Sequence, residues 1–410
     1  MEAIVRRPET GKELEMEDVA ILGVGMHPWG KWGRNFVEYG TIAAKKALDD
    51  AQIEWNAVGF ISGAITVRCG YPGYVAGSTM ARALGFNGTQ VASSYAACAS
   101  GATALSVARG QILSGACDVA VVVGADTTPD GFLAPNDGIR TDDTDWLRFH
   151  MVGATNPVYF GLHARRRMEL YGATQEDFAL VKVKNSKHAV FNENARFNKE
   201  YSLEDVYSSP VVSDPLRLLE ICTTSDGGAA LVVSSMDYAK SLGVSDPVRV
   251  SAIALNTPTY PDPLIDLPYL ATDSSATTLP SETGFKESIG KHVYEEAGVG
   301  PEDIDVAEVY DLASSMELDW YEQLGFCKAG EAEALLRDGS TSIGGKIPVN
   351  PSGGLGAFGE AVPAQAIAQV CELHWQLSHR AGKRQVEGAR MGITANQGLF
   401  GHGSSVLLRR

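Results

Sequence analysis

The sequence predicts an α/β protein built as two halves of similar order, with a long insertion in the first. Three observations lead there. Short apolar runs ended by glycine alternate with segments whose apolar residues recur at helical spacing. The runs are apolar throughout, as strands are when helices cover both faces of a sheet. The same order of elements returns in the second half of the 410 residues, the pattern of an internal duplication.

In chain order, VAILGVG (19–25) is a short apolar run closed by glycine, hence a buried strand. NFVEYGTIAAKKALDDAQI (35–53) has helical spacing. AVGFISGAI (57–65) is a second strand, CASGATALSVARGQILSG (98–115) a helix and DVAVVVGAD (118–126) another buried strand. From Thr127 to about Glu204 the character changes to polar loops and basic helices, as in GLHARRRMELYGATQEDFALVKVKNSKHAVFN (161–192). Strand character resumes in EICTTSDGGAALVVSS (220–235). The second half then reads strand (248–255), helix (284–297), strand (305–312) and helix (313–325). A glycine-rich loop enters a helix over 350–377, and 391–410 reads strand, loop, strand. The expected division is 17–126 with 205–240 as the first half, 127–204 as the insertion and 241–410 as the second half.

Composition narrows the function classes. Hydrophobic residues at 44% and charged residues at 20% are the balance of a soluble globular protein. A net charge of −16 lacks the basic footprint of a nucleic-acid binder, yet a local basic patch still suits an anionic small molecule. Six cysteines without a C-x-x-C pair point to reduced thiols in a cytoplasmic protein, without a zinc ribbon of its own. The charged N-terminus is unlike a signal peptide, and no apolar run is long enough to span a bilayer. His150, His188, His374 and His379 lack metal-ligand spacing, so no metal is expected. GVGMHPWG (23–30) has glycines after a strand but no Rossmann pattern.

The segment SYAACASGATAL (94–105) places Cys98 at the start of a helix, where unpaired backbone N–H groups favour a thiolate. CASGATAL, LYGATQEDFALVKVKNSKHAVFNENARF, SDPLRLLEICTTSDGGAALVVSS and NPSGGLGAFGEA together resemble the thiolase superfamily over nearly the whole chain. Sterol carrier protein X-type thiolases and their lipid-transfer relatives are the most similar branch. The resemblance implies a five-layer αβαβα sandwich of two similar halves with an inserted loop domain.

Departures from the thiolase pattern carry more information. Where such thiolases have His-Asp-Cys-Phe, this chain reads YDLA, with Tyr310 for the histidine and Leu312 for the cysteine. Where they have Gly-His-Pro it reads GEA, with Glu360 for the histidine. A thiolate needs a base or a cationic partner, and an anionic glutamate beside Cys98 opposes it. Cys98 is therefore either a nucleophile with an unusual base or a small buried cysteine kept at the former site. The altered segments, and QLGFCKAGEAEALLRDGSTSIGGKIPVN (323–350), resemble steroid side-chain-cleaving aldolases. That branch uses tyrosines in Y-D and G-E-A-Y segments. Here Tyr310 matches the first, and Val362 stands in place of the second.

The resemblance implies three readings. The first is a lyase that cleaves the side chain of a β-hydroxyacyl-CoA, such as a steroid-CoA, by retro-aldol chemistry. Tyr310 would be its acid/base group, with Asp311 or Glu360 as final proton acceptor. The second is a thiolase or acyltransferase using Cys98. The third is a non-catalytic lipid-binding subunit. His402, in GLFGHGSS, is a further catalytic candidate. Arg165, Arg166, Lys182 and Lys184 make the insertion locally basic and suit the phosphates of CoA, which enters as part of the substrate. No permanently bound cofactor is expected. The relatives imply a homodimeric core and a small zinc-ribbon OB-fold protein that completes a heterotetramer.

Overall fold

The computed structural model describes residues 18–65, 75–128, 156–259, 284–398 and 401–410. The first half contributes strands β1 (Val19–Gly30), β2 (Phe60–Ala64), β3 (Gln90–Ser94) and β4 (Val119–Asp126). Two short insertion strands follow, β5 (Val211–Ser213) and β6 (Leu216–Arg217), and then β7 (Asp226–Ser235). The second half contributes β8 (Val248–Asn256), β9 (Val306–Val309), β10 (Met391–Gly398) and β11 (His402–Arg409). Every residue of β4 is buried, as its unbroken apolar run requires.

The strand order shows the duplication. Nine strands run β3-β2-β4-β7-β1-β8-β11-β10-β9. In the first half β7 alone opposes the direction of its neighbours, and in the second half β11 does. Read outward from the β1–β8 contact, the halves mirror each other as 1-5-4-2-3. The halves join over a short antiparallel register, Val19↔Val250 to Ile21↔Val248. The outermost strand of the second half is reduced to a single parallel bridge, Ala307↔Val349.

Helices Ser100–Leu113 and Val362–Leu377 pack on each other between the two halves of the sheet. Helices Phe36–Ala51 and Ala76–Leu84 cover one outer face, and Phe285–Ala297 covers the other. These are the five layers. The helix Val362–Leu377 is buried all round, which explains a sequence with almost no charge on any face.

The basic helices of the insertion pack against the second half. They are Asn156–Tyr171 and Gln175–Ala189, the second opened by a Thr174/Asp177 capping box. The second helix is largely buried, because it lies against Gly354–Phe358, Ser314–Gln323 and Ala332–Arg337 of the second half. The stretch 203–217 packs on these insertion helices too, and the chain rejoins the sheet only at Asp226. His150 and Cys69 lie outside the described residues.

His188 pins the insertion to the second half as a neutral ring. Its Nδ1 lies 2.9 Å from the Asn350 carbonyl, and the Ile343 N–H donates to Nε2 at 3.2 Å. Burial, with Lys184 nearby, lowers its pKa to about 3. The unfolded chain takes up a proton below about pH 6.5 and the folded ring does not. This stabilisation is complete above that pH and lost as the pH falls toward 3. Acidification from pH 7 to 5 should cost about 2 kcal/mol through His188. Buried His374, lowered to about 4, acts in the same direction. Urea unfolding at both pH values should show a shallower loss in His188→Gln than in the wild type. Equal losses would remove this account.

Candidate active site

Three separate segments bring Cys98, Tyr310 and Glu360 together. Cys98 sits in the tight turn Ala97–Ala99 that opens the central helix Ser100–Leu113. Ala97 is held at φ 47°, a left-handed conformation that costs alanine about 1 kcal/mol. Ser100 fixes the turn: its Oγ accepts from the Ala96 N–H at 2.9 Å and donates to the Ala97 carbonyl at 2.6 Å. Gln365 donates to the Cys98 carbonyl at 3.3 Å. Gly398 lies across the turn, where a Cβ would collide with the Ala96 carbonyl oxygen.

Tyr310 follows β9 directly, so the strand end aims it at Cys98. Glu360 lies between the helices Gly354–Phe358 and Val362–Leu377. Its N–H donates to the Thr223 carbonyl at 2.7 Å, and its own carbonyl accepts from the Ser225 N–H at 2.9 Å. Gly359 precedes it at φ 77°, with Ser225 Oγ in the space a Cβ would need. Only glycine satisfies both the dihedral and the space.

The three side chains form one connected cluster. The Tyr310 hydroxyl donates to Cys98 Sγ at 2.8 Å, and the Cys98 thiol donates to Glu360 Oε1 at 3.1 Å. Tyr310 Oη also lies 3.5 Å from Glu360 Oε1. All three are buried. Burial pushes the Tyr310 hydroxyl well above its ordinary range, and Cys98 and Glu360 push the same way. Tyr310 is thus a hydrogen-bond donor at neutral pH. The cluster is a directed chain of hydrogen bonds from a phenol through a thiol to a carboxylate.

The other sequence-selected residues have different places. Asp311 is buried but faces away from the cluster, toward the glycine loop. Its carboxylate accepts from the N–H groups of Leu355 at 2.6 Å and Gly356 at 3.2 Å, and from Asn185 at 3.1 Å. With both oxygens engaged it is a clamp on the loop that leads to Glu360, and among the described residues no hydrogen bond joins its carboxylate to the cluster. Burial and the neighbouring Glu317 push its pKa upward. His402 is exposed at the start of β11, paired with Gly398 in the hairpin, and among the described residues no hydrogen bond joins it to the cluster.

Two of the four residues expected to meet the phosphates of CoA, Lys182 and Lys184, are interior groups with protein partners, which argues against that role for them. Lys182 donates to the Gly356 carbonyl at 2.7 Å and lies over the Tyr201 ring. Burial lowers its pKa to about 8. Lys184 is engaged by Glu317 at 2.7 Å and by the Val349 carbonyl at 2.8 Å. Both ammonium groups are withdrawn from solvent because their helix packs into the second half. Arg165 is exposed and paired with Asp214, and Arg166 is half-buried. Among the described residues no His/Cys/Asp/Glu group could hold a metal ion.

Sequence reasoning missed Cys222, Asn185 and Gln365. Cys222 is buried in the same apolar cluster as Cys98, Tyr310, Leu312 and Val362. It lies more than a hundred positions from Cys98, and no spacing rule links them.

Comparisons with known proteins show the family. The "Thiolase, N-terminal domain" family model matches residues 19–237, and "Thiolase C-terminal domain-like" matches 271–409. The chain belongs to the thiolase superfamily. It is 36% identical over 403 residues to human "Sterol carrier protein 2", covering 93% of this chain and 70% of that one. It is also 36% identical over 398 residues to the "Acetyl-CoA acetyltransferase" of Methanothermobacter thermautotrophicus, covering 95% and 99%. Among solved structures, the "Ltp2-ChsH2(DUF35) aldolase" superposes with a TM-score of 0.76 at 26% identity, over 96% and 97% of the two chains. Within the thiolase fold, the chain lies in the sterol carrier protein X and lipid-transfer branch.

Proposed function

We propose that the chain is a carbon–carbon lyase. It cleaves a β-hydroxyacyl-CoA thioester with a bulky, steroid-like acyl group into an aldehyde or ketone and a shortened acyl-CoA. The observation that carries this is the Tyr310–Cys98–Glu360 chain of hydrogen bonds. A retro-aldol reaction needs a base for the β-hydroxyl and no covalent acyl-enzyme. Glu360 is the base. The hydroxyl proton reaches it through Tyr310, directly or by way of the thiol. The Cα–Cβ bond then breaks, and its electron pair passes into the thioester as an enolate. Burial excludes water and strengthens each hydrogen bond in the chain.

A second reading rests on the same contact. Glu360 accepts from the Cys98 thiol and could act as base for a nucleophilic sulfur, as an acyltransferase would need. Cys98→Ser separates the two. Serine can both donate and accept, so the relay survives, and cleavage should stay within about tenfold of the wild type. A nucleophilic role predicts an acyl adduct on Cys98 of the wild type by intact mass, and acyl transfer that falls by about 10³-fold or more in the serine variant. The measurement is release of aldehyde or ketone from a β-hydroxyacyl-CoA in a single turnover.

The same reading extends to assembly as a homodimer that works with an OB-fold zinc-ribbon protein. Strand β3 supports the first part: it ends the sheet, with Val91 exposed and Phe86 and Tyr95 exposed beside it. For the second, the aldolase neighbour carries the names of two proteins together, Ltp2 and ChsH2. Among the described residues no helix is long and apolar enough to cross a membrane.

A further inference from the structure

The lyase reading leaves one proton unaccounted for. The relay accepts a proton and ends with Glu360 loaded, while the enolate still needs a proton at its α-carbon. A second acid must face the same space.

Cys222 is placed for it. Its segment runs antiparallel to the one that carries Tyr310: Ile221 bridges Ala313, and the Cys222 N–H donates to the Leu312 carbonyl at 2.8 Å. Directly opposed residues of an antiparallel pair project to one face, about 4.5–5.5 Å apart at Cβ. The Cys222 and Leu312 side chains thus share a face, within the buried cluster that holds Cys98 and Tyr310. On its other side the segment is tied to Glu360, through the Thr223 carbonyl and the Thr224↔Glu360 bridge.

Glu360 bears on both thiols, and Cys222 has a cation near it as well. Cys98 donates to a carboxylate. Lys182, whose ammonium is held by the Gly356 carbonyl, acts on Cys222 in the direction of the thiolate, a smaller influence than burial. Burial pushes the Cys222 thiol well above its ordinary range, and Glu360, Asp311 and Cys98 push the same way, so at rest it carries its proton. Asp311 is turned to the loop, where Leu355, Gly356 and Asn185 hold its oxygens, whereas Cys222 shares the face of Leu312.

We propose that Cys222 delivers the proton to the α-carbon of the acyl thioester, with Lys182 as the positioning cation for the thiolate left behind. The S–H bond breaks, and the enolate electron pair forms the new C–H bond. The proton that Glu360 took from the substrate hydroxyl then returns to the Cys222 sulfur. Both groups are reset, and no outside acid or base is consumed.

The inference rests on the lyase reading, but its test does not require cleavage. The full chain, with any protein that co-purifies, is incubated with propionyl-CoA in D₂O, and deuterium entry at the α-carbon is followed by mass spectrometry. The wild type should exchange. Cys222→Ala should slow exchange by about 100-fold or more with acyl-CoA affinity and melting temperature retained, and the near-isosteric Cys222→Ser serves if the alanine variant does not fold. Lys182→Met should slow exchange and shift its pH profile, which a merely structural lysine would not do. Exchange at the wild-type rate in the Cys222 variant, or none in the wild type, overturns the proposal. Exchange without cleavage of a β-hydroxyacyl-CoA would refute the lyase reading and leave the role of Cys222 standing.

Discussion

Glu360→Gln should lower single-turnover cleavage by about 10²–10⁴-fold, the span of one general acid/base group. The amide keeps the size of the carboxylate and can still accept from the Cys98 thiol, which lies 3.1 Å away. It cannot take the proton. The backbone anchors of residue 360 to Thr223 and Ser225 do not involve the side chain, so the loop should keep its course. A buried charge is removed, and the melting temperature should hold or rise. The assay is stopped-flow or quenched release of the carbonyl product beside a thermal melt. A rate within a factor of a few of the wild type would show that the carboxylate is not the base.

Tyr310→Phe should cost a similar factor, because the hydroxyl is the donor that opens the relay toward Cys98 and Glu360. The ring remains and fills the same buried space. Stability should fall by no more than one hydrogen bond, about 0.5–1.5 kcal/mol. An unchanged rate would make Tyr310 structural and leave Glu360 to collect the proton directly. The double variant should be scarcely slower than either single one, since the two groups act as a unit.

The elements of the fold were legible because their physical signals are local. The run DVAVVVGAD matches β4, and the spacing within 35–53 matches the helix Phe36–Ala51. Strand β3 was not legible. It is a polar edge strand, QVASS, with neither an apolar run nor a buried face to mark it. The charge of the insertion's lysines suggests a solvated unit, and the structure buries two of them. Glu317 and the carbonyls of Val349 and Gly356, all far along the chain, offset the cost of burying them.

The sequence by itself determined the family, the two-half plan and three of the groups that meet at the site. Each is written in a short stretch: the cysteine before a helix, YDLA after a strand and GEA after a glycine loop. Only the tertiary structure decided what these groups do to one another. It set the direction of the hydrogen bonds through Cys98, turned Asp311 to the loop and brought Cys222 beside Leu312. Proton transfer depends on separations of about 3 Å and on burial. Those quantities arise where distant segments pack, and no single segment carries them.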